Sequence, residues 1–107
     1  MSSTLDRLSE WYQMQCDGDW EHSYSVEIGT LDNPGWHMKI DLTETALEGK
    51  AFENYKDKYD SEKDWLRCWL EGKVFHAACG PGRLEDAILL FLKWAEVGAQ
   101  NGKEVST

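Results

Sequence analysis

The sequence has no CxxC, HxxxH or HExxH spacing, only two prolines, three cysteines and no apolar run longer than the six residues Ala87 to Leu92. Each shortage removes a class of protein. An odd set of cysteines, Cys16, Cys68 and Cys79, argues against a disulfide framework. Histidines at 22, 37 and 76 are too scattered to give the ligand spacing of a zinc site, and no metal or other cofactor is expected. Asp17-Gly18-Asp19 with Glu21 lacks the alternating oxygens, the later glycine and the twelfth-position glutamate of an EF-hand loop. A bilayer span needs about 20 apolar residues, so no membrane partner is expected. Basic residues are scarce as well: 11 Lys and Arg stand against 20 Asp and Glu, a net charge of -9, which disfavours nucleic acid as a partner. The opening MSSTLDRLSEW has neither the basic start nor the apolar core of a signal peptide, and a reduced cytoplasmic setting is expected.

What is present suits one small domain. A chain of 107 residues buries about two-thirds of its surface on folding, enough for a core without staples. The expected domain spans residues 1–97, followed by a frayed tail at 98–107. Six tryptophans, four tyrosines and three phenylalanines supply more large rings than such a core commonly holds, so some are candidates for a partner surface. The acidity suits a basic partner, whose encounter it would steer, and equally suits plain solubility. Oligomeric state is left open.

Ser3 with Asp6 has the spacing of a capping box, and Leu5, Leu8, Trp11 and Tyr12 recur at helical steps to about Cys16, where Asp17-Gly18 stops the helix. From Trp20 the period changes to two, with Tyr24, Val26 and Ile28 on the inner side of a strand. Leu31-Asp32-Asn33-Pro34-Gly35 turns the chain into a second strand on which Trp36, Met38, Ile40 and Leu42 alternate with His37, Lys39 and Asp41. Leu47 is the apolar anchor of the loop at 43–50. A third strand at Ala51 to Tyr59 has no cleanly apolar face and suits an edge. Trp65 to Leu70 and Val74 to Cys79 form a second hairpin, apolar on both faces, which places it mid-sheet, covered on both sides or by a partner on one. After Gly80-Pro81-Gly82, Leu84, Ala87, Ile88, Phe91, Leu92 and Ala95 mark a helix to about Val97. The reading is an α+β fold: an antiparallel sheet of four to five strands with an N-terminal and a C-terminal helix packed on it.

Two places attract a chemical reading. Cys79 in the CGPG turn would put a thiol beside a helix start, the position for a thiol-dependent or small-ligand-binding domain. His76, three residues away on a strand, projects to the opposite face, and a small buried cysteine is the competing role. Arg83 is the cation near that turn. The other place is CDGDWEH, Cys16 to His22, where Asp17, Asp19 and Glu21 flank Trp20. Helix-stop chemistry and an acidic, aromatic contact surface both fit these residues. Trp65 and Arg67, with Trp69 beyond them, form a cation and aromatic stripe on one strand face. A self-association module with exposed rings is a further alternative. No residue set makes a catalytic kit.

WYQMQCDGDWEHSY, LDNPGWHMKIDL and DWLRCWLEGKVFHAACGPGRLEDAILLFLKWA, in this order, make the chain resemble the bacterial immunity protein 53 family of polymorphic toxin systems, over roughly Leu5 to Ala95. The resemblance implies a non-enzymatic antidote that binds and neutralises a cognate toxin. Charge and aromaticity then suggest a basic, nuclease-type toxin domain whose active site is occluded, with Asp17, Asp19, Trp20, Glu21, Trp65 and Arg67 as contact residues.

Overall fold

The computed structural model describes residues 3–58 and 61–105, with side chains to Glu96. Helix α1 is Thr4–Gln15 and a one-turn helix α2 is Trp20–Ser23. Five strands follow, β1 Val26–Leu31, β2 Gly35–Asp41, β3 Tyr55–Asp57, β4 Leu66–Glu71 and β5 Val74–Cys79, and then helix α3, Leu84–Val105. The strands make one antiparallel sheet in the order β1-β2-β5-β4-β3. The α+β architecture is the one expected, and both hairpins form with their second hairpin in the middle of the sheet.

Local chemistry accounts for most element ends. The Ser3 hydroxyl accepts from the Asp6 N–H at 3.0 Å, while the Asp6 carboxylate accepts from the Ser3 N–H, closing the capping box. Gly72, with φ of 62°, opens the two-residue turn between β4 and β5. The strand expected at 51–59 shrinks to Tyr55–Asp57 at the sheet edge. Phe52 leaves the strand path to pack edge-on against Phe75 and Trp94, at 5.2 Å each, and Lys58 takes φ of 50°, which a strand cannot continue through. Tyr59, expected at that strand's end, lies outside the described residues. The α3 backbone continues past Val97 to Val105, beyond the last residue of the apolar stripe.

Both long helices pack on one face of the sheet. Their Leu8, Ala87, Ile88, Phe91, Leu92 and Ala95 meet Met38, Ile40, Leu66, Cys68, Phe75, Ala77 and Cys79 in a single core. Phe75 and Phe91, both fully buried, touch with ring centroids 5.1 Å apart, and burial of each such ring contributes about 1.5–3 kcal/mol. Trp94 stacks on Phe75 and donates its indole N–H to the Ala51 carbonyl at 3.0 Å, and Leu47 anchors its loop in the same core. The sequence stripe on α1 is only partly covered: Leu8 is buried, whereas Leu5 and Tyr12 are exposed. On β1, Ile28 faces the helix side yet is exposed, because the helices sit over β2, β5 and β4 and leave the edge strand uncapped.

Candidate functional site

The junction at Cys16 to His22 folds as a set of backbone caps. Gly18 has φ of 97°, a conformation that L side chains rarely adopt. The Asp17 carboxylate accepts from the N–H groups of Asp19 and Trp20, both at 2.9 Å, at the start of α2. Those two donors, Trp20 first, hold the Asp17 carboxyl below the usual aspartate range. Glu21 turns back to accept from Asp17 N–H at 3.0 Å and Gly18 N–H at 2.9 Å. This capping places a helical turn where the period-two pattern predicted the start of a strand. Trp20, offered by the sequence either as a buried ring at the helix stop or as a contact residue, is buried at 2% and donates its indole N–H to the Thr43 carbonyl at 2.8 Å. Its ring meets Trp11, Tyr12 and Tyr24. Asp17 and Asp19 are exposed and Glu21 is half-buried.

The two glycine-proline turns meet at the other end of the sheet. A Cβ on Gly80 would lie 1.8 Å from the Lys63 carbonyl oxygen, and one on Gly35 would lie 2.3 Å from that of Cys79. The CGPG turn is therefore a close backbone joint. Cys79 is 1% exposed, and burial pushes its thiol above the ordinary range; the Cys68 thiol is pushed up to about 12 by the same cause. His76 points to the opposite face, as alternation predicts. Arg83 is engaged on three sides, by the carboxylates of Asp57 at 2.9 Å and Asp86 at 2.7 Å and by the Asp64 carbonyl. It ties β3 and the approach to β4 onto the start of α3 and leaves little for an anion. Among the described residues no cluster of three or more His, Cys, Asp or Glu is placed to hold a metal ion.

The second face of the sheet, turned away from the helices, carries a different chemistry. Register aligns Gly29, His37, Ala78, Arg67 and Lys56 in one row and Glu27, Lys39, His76 and Trp69 in the next, followed by Asp41, Val74 and Glu71. The Trp69 indole lies parallel to the His76 imidazole, with centroids 5.1 Å apart and planes inclined by 7°. His76 in turn stacks on His37 at 5.9 Å, and the Arg67 guanidinium lies 4.3 Å from the centre of the Trp69 ring. Burial lowers the His76 pKa; Glu71 opposes the shift, and His37 and Lys39 reinforce it. Trp65 extends the stripe to the sheet end, where it lines an open cleft of about 720 Å³ with Asn33, Pro34, Lys63 and Pro81.

The residues expected to form a contact surface thus fall into two groups. Trp20 hangs from Thr43, beyond the Asp41 end of β2, whereas Trp65 and Arg67 lie at the opposite end of the sheet. Six residues of strand, about 20 Å, separate the ends. The sequence places Trp69 beside this stripe; His76 completes it as the cross-strand partner of Trp69 in the β4–β5 hairpin, and His37 only because β2 pairs with β5.

A one-sided sheet backed by two helices, with its free face carrying stacked rings and charges of both signs, makes a small α+β domain. The chain belongs to the Immunity protein 53 family, whose model matches residues 5–96. Comparison with curated proteins and with solved structures found no match. Membership supports an immunity function and implies a toxin as the partner. Among the described residues no helix is long and apolar enough to cross a membrane.

Proposed function

We propose that this protein binds its cognate polymorphic toxin and neutralises it by covering the toxin's active site, without chemistry of its own. The observation that carries the reading is the family match, which spans α1, the whole sheet and most of α3. The net charge of -9 favours a basic toxin domain, such as a nuclease, by steering encounter with a cationic cleft. Asp17, Asp19 and Glu21 add to that acidic field from one end of the molecule. Three free cysteines suit a reduced cytoplasmic compartment. Burial of Cys79 argues against the thiol-dependent alternative.

The test is to express the toxin encoded beside this chain with and without it. Growth rescue together with a co-purifying complex supports the reading. Unrelieved toxicity with no complex overturns it.

A further inference from the structure

We propose that the toxin docks on the free face of the sheet, with Trp69 as the central anchor and Arg67 receiving a carboxylate of the toxin, an inference that rests on the toxin-binding reading above. Charge sets the chemistry of the occupant. The row through Arg67 holds Lys56 and Arg67 and no carboxylate, the row through Trp69 sets Lys39 against Glu27, and the row beyond it holds Asp41 and Glu71, so the face is balanced in formal charge where the chain carries -9, and it is cationic at its Arg67 end. Long-range attraction follows the whole charge, whereas the register of a complex follows local complementarity. A basic toxin drawn in by the acidic field therefore finds, at the Arg67 end of this face, a place for a segment with a carboxylate among apolar groups.

The stack supplies the rigidity that a binding anchor needs. Trp69 is half-buried against His76, and Arg67 lies over its ring, so both side chains are held in place before the partner arrives. Trp and Arg are also the residue types that dominate interface energies. Ala78 and Val74 keep the flanking surface low and apolar.

Area decides how far the contact must extend. Four strands of six or seven residues and a three-residue edge strand cover less than roughly 20 by 20 Å, under half of the ~800 Å² that one partner contributes to a standard interface. The cleft beside Trp65 continues this face at the Arg67 end, and an apolar side chain of the toxin inserted there extends the contact.

Calorimetric titration of the catalytically inactivated toxin tests the assignment. Trp69→Ala and Arg67→Glu are each expected to raise Kd by 100-fold or more, and the exposed Lys39→Glu by about tenfold. Met14→Lys, on the helix side, should leave Kd within about threefold. Thermal melts establish that each variant folds, and Lys39→Glu, which removes no packed ring, serves if Trp69→Ala does not. Wild-type binding with face variants that bind as tightly, or with loss confined to Met14→Lys, overturns the docking assignment alone. Absence of wild-type binding overturns the functional reading.

Discussion

The indole N–H of Trp36 donates to the Pro81 carbonyl at 3.0 Å, which joins the two glycine-proline turns across 45 residues of sequence. The same joint brings Gly35 against the Cys79 carbonyl and Gly80 against that of Lys63. Sequence fragments distinctive enough to suggest a family thus serve here to hold the end of the sheet together.

Gly80→Ala tests that joint. Its new Cβ would collide with backbone, which cannot swing aside, so a loss of about 3 kcal/mol or more is expected in urea unfolding. Gly82, two residues on, has open space around its Cβ position, and Gly82→Ala should change stability by no more than about 0.5 kcal/mol.

Asp17 predicts an acid dependence at the other end. Its folded-state pKa lies below the ordinary value of 3.8, so the unfolded chain takes up the proton first. The stabilising contribution is complete above that ordinary value and is lost as pH falls through the lower, folded one. Unfolding midpoints between pH 6 and 2 should show this acid limb, and Asp17→Asn should flatten it.

His76 acts in a higher window. Its folded pKa lies below the ordinary 6.5, so the unfolded chain again binds the proton first. Stability contributed by the neutral ring is complete above pH 6.5 and declines as pH falls below it. An NMR titration should place the His76 midpoint below that of an exposed histidine, and His76→Gln should weaken the decline between pH 7 and 5. Glu71, His37 and Lys39, which face the ring, set the size of the effect.

Thiol labelling separates the three cysteines. Cys68 and Cys79 are buried with raised pKa values, whereas Cys16 is half-buried at the end of α1. Ellman's reagent should modify Cys16 first in the native protein and reach the other two only on unfolding. Fast native labelling of Cys79 would contradict its place in the core.

Features set by near neighbours were legible in the sequence. Ser3 and Asp6 announce the first helix, Asp17-Gly18 its end, and alternation in β2 gives the inner face residue by residue, whereas β4 and β5 are apolar on both faces and show only that they lie mid-sheet. Two kinds of feature were not. At Trp20 an alternating pattern overlies a turn that side-chain caps from Asp17 and Glu21 stabilise, so periodicity misleads. Trp69 and His76 face each other across the β4–β5 hairpin, but His37 joins their stack only through the β2–β5 pairing, which no local pattern encodes. The exposed inner side of β1 has the same origin, because exposure there depends on which strands the helices cover.

That β2–β5 pairing also sets when the sheet can exist. Residues 42–73 separate the two strands, and closing a loop of that length costs about 3 kcal/mol of chain entropy. Each hairpin alone is marginal in water, and only their union, backed by α3, forms the core. A chain still being synthesised therefore holds no complete sheet until β5 and then α3 have been made. Folding is expected to come late and all at once, so a toxin present during synthesis meets either an unstructured chain or a finished one.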